Sequence, residues 1–225
     1  MNYTYLLINA FLLLIPVVLF FLPKLQFTKN SKFIFLAVFI TVFIFSVPTQ
    51  FLEQLKVIQF NSLYLTGTTL WELPVEELLF SFIMPLTGLA IYIFLNVYYP
   101  YNKLEKYSLA LSNILLGIFI AIIYFGYHNL YALFTFAILF VFLLYVEYVN
   151  KTRFMYRFYR AWLVSLVPFY IVSVIVNSLP VIVYNEKETL MFNLLKVPFE
   201  SPFYYMGMLL LTVYFYEVFK NRVVK

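Results

Sequence analysis

Seven apolar runs, at residues 5–22, 33–47, 74–98, 107–125, 130–149, 161–179 and 202–219, leave this chain little room to fold in water. A helix that crosses a bilayer needs roughly 17–25 mostly apolar residues, and the runs fall near that length. The second is the shortest and reads as one that continues past Pro48 with a kink. Composition agrees. The chain is 64% hydrophobic and 11% charged, with mean hydropathy +0.92, against about half apolar and about a quarter charged for a soluble domain. The expected class is an all-α integral membrane protein with about seven transmembrane helices. There is no cysteine, which excludes disulfides and thiol chemistry. The N-terminus has no basic stretch ahead of its apolar run, so the first helix is expected to be retained. The fourth and fifth runs are separated only by Gly126-Tyr127-His128-Asn129, which predicts a tight turn.

Charge orients the helices. Lys24, Lys29, Lys32, Lys103, Lys106, Lys151, Arg153, Arg157, Arg160, Lys220, Arg222 and Lys225 lie on one side, twelve of the fifteen basic residues. Lys56, Lys187 and Lys196 lie on the other. The positive-inside rule then puts the N-terminus outside and the C-terminus in the cytoplasm, with the plasma (inner) membrane as the expected location. The net charge of +5 follows the loops and is not a nucleic-acid footprint.

The chain also repeats itself. Phe60-Asn61 is echoed by Tyr184-Asn185, Pro74-Val75-Glu76 by Pro198-Phe199-Glu200, and Tyr92 by Tyr216, all at an offset of 124 with no gap. A shared offset across three landmarks marks an internal repeat. Residues 1–98 form a first unit of three helices, 99–129 a linker helix, and 130–225 a second unit. One linker helix returns the second unit to the orientation of the first, giving parallel repeats. Both Pro-x-Glu motifs then enter from the outer side, and pairing of the third and seventh helices would carry Glu76 and Glu200 towards one pocket. Pro74 and Pro198 read as helix starts, where a missing N–H is harmless.

Acidic residues in membrane segments are costly and are functional candidates by default. Glu76, Glu77 and Glu200 are the candidates here. The plainer reading is capping, since the first turn of a helix favours acids, and Ser201-Pro202 suits a helix start. The repeat weakens that reading, because capping does not require Glu at the same place twice. A carboxyl buried in an apolar pocket holds its proton and can deliver it to an apolar partner. Glu76 shares a face with Phe80 and Ile83, and Glu77 with Ser81 and Met84, the two faces lying about 100° apart. Asn61 and Asn185 either make turns or orient the carboxyls. His128 is the only histidine and sits in a turn, so no histidine metal cluster is expected. The 28 Phe and 21 Tyr mostly pack or face lipid, and some could steady a cation through their ring faces. No nucleotide-binding fingerprint occurs, and no cofactor is expected.

These residues resemble the membrane-embedded lycopene cyclases of bacteria, archaea and fungi, which are built from two homologous units, fused or heterodimeric. The first-unit signature is similar to Phe60-Asn61, Tyr64-Leu65-Thr66-Gly67, Leu73-Pro74-Val75-Glu76-Glu77-Leu78-Leu79-Phe80 and Pro85. The second is similar to Pro168-Phe169, Pro180-Val181-Ile182-Val183-Tyr184-Asn185, Pro198-Phe199-Glu200-Ser201-Pro202-Phe203-Tyr204 and Tyr216-Glu217. Three positions depart from the pattern: the family has Asp where Ser201 stands, usually Asp at Thr49, and usually Asn at Ser173. Thr49 and Ser173 are equivalent, being 124 apart.

The resemblance implies carotenoid cyclisation. An acid protonates a linear polyene end, the internal alkene closes the ring, and a base removes a ring proton, with no net redox change. The expected acid is Glu76 or Glu200, with Glu77 as modulator or base, and Asn61, Asn185, Phe80, Tyr204, Thr49 and Ser173 as binding or orienting residues. The expected partners are an apolar carotenoid and membrane lipid, with no nucleic acid. A homodimer is compatible with the sequence. The rival reading is a diverged, non-catalytic binder or transporter of apolar isoprenoids. A retinal protein fits poorly, because 202–219 offers no lysine for a Schiff base.

Overall fold

The computed structural model describes residues 3–25, 27–101, 105–150 and 153–223. Within them run seven α-helices: α1 (Thr4–Phe20), α2 (Phe27–Gln54), α3 (Val75–Tyr98), α4 (Ser108–Phe125), α5 (Leu130–Leu144), α6 (Met155–Ser178) and α7 (Ser201–Val223). Five segments are long and apolar enough to cross a membrane: Lys29–Gln54, Val75–Tyr98, Glu105–Phe125, Leu130–Val149 and Met155–Ser178. α1 is a shorter apolar helix of 17 residues. Of the orienting basic residues, Lys103, Lys151 and Lys225 lie outside the described residues.

The helices follow the apolar runs. α2 continues through Pro48 as expected, and the departure is α5, which passes at Tyr145–Val149 into a π turn. Hydroxyl side chains help to satisfy these helices in an apolar setting. Thr41, Thr49, Thr87 and Thr212 each donate to the carbonyl four residues back, which spares the hydroxyl an unpaired burial.

The loops ahead of α3 and α7 are not simple helix entries. Each contains a short hairpin: β2 (Thr69–Leu70) with β3 (Leu73–Pro74), and β5 (Asn193–Leu194) with β6 (Val197–Pro198). Pro74 and Pro198 each close a strand pair; Pro74 is at the same time the N-cap of α3, as its reading as a helix start has it, whereas α7 begins only at Ser201. Between the strands, Trp71 and Glu72 take φ of 53° and 65°, and Leu195 and Lys196 take 53° and 66°. Two successive left-handed residues make the turn that a two-residue hairpin favours. Here it is built from residues that pay for the conformation.

A second pairing joins the units. β1 (Ile58–Phe60) runs antiparallel to β4 (Ile182–Tyr184), with Ile58 opposite Tyr184, Gln59 opposite Val183 and Phe60 opposite Ile182. Exchanging residues by the offset of 124 maps this register onto itself, so a local twofold passes through the Gln59–Val183 pair. The flanking bonds obey it: Asn61 N donates to Val181 O and Asn185 N to Val57 O, each at 2.9 Å. Both hairpin loops therefore lie at one end of the helices. The α4–α5 turn joins them there, with Asn129 Nδ2 donating to the carbonyls of Lys187 and Thr189.

Helix packing carries the same symmetry. α2 packs on α7 as α6 packs on α3, and α1 lies on α3 as α5 lies on α7. α3 and α7 meet directly, so closely that a Cβ on Gly88 would stand 2.4 Å from the Tyr205 hydroxyl. Two buried polar bonds cross these interfaces, Tyr92 to Glu217 at 2.7 Å and Thr212 to Thr41 at 2.9 Å.

Candidate active site

Where α3 and α7 approach each other beneath the β1–β4 pair, they enclose a cavity of about 70 Å3. Its wall is built from equivalent residues of the two units: Thr49 and Ser173, Ile58 and Ile182, Phe60 and Tyr184, Glu77 and Ser201, Phe80 and Tyr204, Ser81 and Tyr205, Met84 and Met208. The cavity thus lies about the pseudo-twofold. Glu77, Ser81 and Met84 reach it from one face of α3, the face the helical spacing predicts.

Glu77 is its carboxyl. The side chain is buried, and the Tyr5 hydroxyl, reaching in from α1, donates to Oε2 at 2.6 Å. At the equivalent place the second unit has Ser201, whose hydroxyl lies 3.1 Å from that of Tyr131 on α5. One wall therefore carries an acid while the other is phenolic, with Tyr131, Tyr184, Tyr204 and Tyr205. Burial pushes the Tyr184 phenol up to about 12, so it stays neutral and does not serve as a base near neutral pH. Tyr204 is fixed by Thr49, hydroxyl to hydroxyl at 2.8 Å, and Thr49 in turn donates to the Phe45 carbonyl at 2.8 Å.

Glu76 and Glu200 do something else. Oε1 of Glu76 accepts the backbone N–H of Thr66 at 2.6 Å, and Oε1 of Glu200 accepts that of Leu190 at 2.6 Å. Each carboxyl ties its own hairpin loop to the start of the following helix. The second oxygen of each is buried without a hydrogen-bond partner among the described residues. Neither carboxyl lines the cavity, so the structure does not bring Glu76 and Glu200 together in it. Burial pushes the Glu200 carboxyl up, against the bond from Leu190, which pulls it down.

Asn61 and Asn185 are turn residues. Each side chain accepts the N–H two residues on, from Leu63 at 3.1 Å and from Lys187 at 3.2 Å. Any influence on the carboxyls passes through the loop. Phe80, Thr49, Ser173 and Tyr204 do line the cavity. His128 stays in the α4–α5 turn, its ring against Tyr127. Tyr5 and Tyr131 were not among the sequence candidates. They were traceable, since 5 and 131 are 126 apart and touch positions 77 and 201, but an ungapped search at 124 passes over them. Among the described residues no cluster of His, Cys, Asp and Glu could hold a metal.

Comparison with known proteins accounts for this twofold design. No curated protein and no solved structure matches the chain. A family model described as lycopene cyclase does, at residues 2–95 and again at 128–219. The two matched regions hold the two halves of the cavity wall, and they leave out the whole of α4. A double match over most of the chain, centred on a two-unit pocket, supports carotenoid cyclisation as the general activity: the chain belongs to the lycopene cyclase family.

Proposed function

We propose that the protein is a carotenoid cyclase that closes a lycopene-like linear end into an ionone-type ring by acid–base catalysis, with Glu77 as the acid. The observation that carries this is a single buried carboxyl in an apolar and aromatic cavity on the pseudo-twofold. Tyr5 holds Oε2 of Glu77 and Ser81, one turn on, hydrogen-bonds the same carboxyl; Oε1 carries the transferable proton in this reading. That proton adds to the terminal double bond and leaves a tertiary cation. The neighbouring alkene supplies the electron pair for the new carbon–carbon bond, and loss of a ring proton to the Glu77 carboxylate restores both the acid and an alkene. Atoms and electrons balance, so the reaction is an isomerisation without net redox change. The rings of Phe80, Tyr204 and Phe169 offer π faces to the passing cation, and closure of the cavity keeps water from quenching it.

In this reading Glu76 and Glu200 are positioning residues. They hold the loops that roof the cavity, and catalysis passes to the neighbour of Glu76. All seven helices span, in two parallel three-helix units about α4, with the hairpin end outside and the basic end in the cytoplasm of the plasma membrane. The site then sits near the outer interface, where one end of a carotenoid comparable in length to the ~30 Å hydrocarbon core would arrive.

Expression in a lycopene-accumulating bacterial host, with pigments separated by chromatography, tests the proposal. Cyclic carotenes from the wild type and linear lycopene from an equally abundant Glu77→Gln variant are expected. Unchanged lycopene with the inserted wild type would sink the cyclase reading and favour a non-catalytic isoprenoid binder. Undiminished ring formation by Glu77→Gln would remove Glu77 from the mechanism.

A further inference from the structure

The cavity is too small for the molecule it is meant to serve. Ligand pockets generally enclose about 300–1,000 Å3, and this one has about 70 Å3. The missing room lies beside it. Between α2 and α5 runs a groove of about 800 Å3 whose lining is wholly apolar, with Phe43, Phe51, Phe134, Ala137 and Phe142 among its residues. Along α5 it extends from Leu133 to Phe142, about 14 Å at the helical rise. That length seats roughly half of a polyene that matches the ~30 Å hydrocarbon core.

Two rings in contact separate groove from cavity. Phe45 lines the groove, and its ring packs edge-on against Tyr204, centroids 5.2 Å apart. Tyr204 is itself a wall of the cavity. On its other side the Phe45 ring rests on Gly207, where an added Cβ would stand 3.2 Å from the ring. Phe45 groups with Met208 and Leu211 in a small apolar cluster apart from the main core. The ring is buried and packs against Phe142 and Tyr204, so turning it aside repacks this small cluster and leaves the main core in place. The groove also owes its width to a small residue. At the offset of 126 that relates Tyr5 to Tyr131, the residue in α1 that matches Ala137 is Phe11.

We propose that the α2–α5 groove seats the linear polyene chain of the substrate, and that Phe45 with Tyr204 forms the gate through which its end reaches Glu77. This rests on the cyclase reading for the identity of the ligand. A second apolar groove of about 690 Å3 lies between α2 and α3, but it is the α2–α5 groove that meets the cavity through the Phe45–Tyr204 contact and lies at the same height on α2.

The absence of cysteine makes the test direct. Ala137→Cys places a thiol in the groove, and Val167→Cys places one on the exposed face of α6 as a control. Labelling by methyl methanethiosulfonate is timed in lipid nanodiscs with and without lycopene. Lycopene should slow the Ala137→Cys reaction about tenfold, as saturating occupancy of a site does, and leave Val167→Cys unchanged. Equal slowing at both positions means partition into the bilayer, and no slowing means a groove that holds lipid; either overturns the proposal. Shielding of Ala137→Cys without lycopene, growing with protein density, assigns the groove to a second copy and overturns it too. A Glu77→Gln background separates the two readings. Protection without cyclisation by the otherwise wild-type protein defeats the catalytic assignment alone, and cyclisation without protection defeats the groove alone. As a second readout, Ala137→Trp should raise KM for lycopene about tenfold at unchanged kcat, the mark of lost uniform binding. An unchanged KM in folded Ala137→Trp protein counts against the groove.

Discussion

Replacing Glu76 or Glu200 with Gln should cost modest and nearly equal stability while leaving cyclisation largely intact. The reason is the duplicate geometry, since each carboxylate oxygen accepts one backbone N–H at 2.6 Å, from Thr66 and from Leu190. A hydrogen bond to a charged group contributes about 1.5–3 kcal/mol, and a neutral one about 0.5–1.5. The amide keeps an acceptor for the N–H, so each Gln variant should lose about 1 kcal/mol. Glu76→Ala and Glu200→Ala should lose more, about 2–4 kcal/mol, because a half-buried donor is left unpaired and space opens where the buried carboxyl stood. The two anchors sit in different loops and share no partner, so the double Gln variant should be additive to within about 0.5 kcal/mol. The assay is denaturant unfolding in mixed micelles, followed by helix content, in parallel with pigment analysis in the lycopene-accumulating host. Glu77→Gln gives the reference for lost acid catalysis, a drop of about 10²–10⁴ in rate. If Glu76→Gln or Glu200→Gln, well folded, falls to the Glu77→Gln level, those carboxyls are acids and the anchoring argument fails.

Gly88→Ala should destabilise the protein by about 1–3 kcal/mol, the range for overpacking, since its methyl would stand 2.4 Å from the Tyr205 hydroxyl and 2.6 Å from Leu209 Cδ1; unfolding at the wild-type midpoint would show that α3 and α7 do not pack this closely. The paired change Leu195→Asn with Lys196→Gly should stabilise the second hairpin by about 1–3 kcal/mol, because left-handed backbone costs ordinary residues about 1–2 kcal/mol each and the Leu195 side chain is exposed; slower hydrogen exchange at Leu194 and Val197 reads this out, and faster exchange contradicts it. Glu200 carries a pH signature. Burial holds its folded pKa above the ordinary carboxylate value, so the folded state binds the extra proton. Its contribution is fully present below the unfolded pKa and is lost as pH rises through the folded one. Thermal unfolding midpoints should fall over that window, and the slope should shrink in Glu200→Gln; an unchanged slope would refute the linkage.

The helices were legible because lipid makes apolar length a nearly sufficient signal, and the repeat was legible because 124 recurs without a gap. The loops were not. Asn-Gly or a similar pair announces a two-residue hairpin, but Trp71-Glu72 and Leu195-Lys196 hold the left-handed turn without either residue. Pro74 and Pro198 each pair in a strand, with Thr69 and Asn193, and only Pro74 directly caps its helix. The choice between Glu76 and Glu77 was equally hidden. Adjacent residues on a helix differ by about 100°, and which one faces the cavity depends on how α3 is turned against α7. Tyr5 escaped notice for a different reason: the first and fifth helices are related by 126, so the phenol that touches Glu77 has no echo at 124.

The symmetry is kept and broken in different places, and the division has a physical logic. Backbone geometry repeats closely. The left-handed pairs, the Glu-to-loop bonds and the Asn turns have the same form in both units, because two copies of one loop must reach across and pair strand with strand. The cavity wall repeats only in part. Ile58 and Ile182, and Met84 and Met208, are the same residue in both units, but Glu77 corresponds to Ser201, Phe60 to Tyr184, Phe80 to Tyr204 and Ser81 to Tyr205. A ring closure that begins with one proton needs a donor on one side of the chain end and an electron-rich, non-basic surface on the other. Two identical walls cannot supply both at once. The groove is uneven in the same sense, with Ala137 where the first unit has Phe11. A duplicated scaffold thus acquires direction: a chain entering along α5 passes Phe45 and Tyr204 and meets the carboxyl on α3.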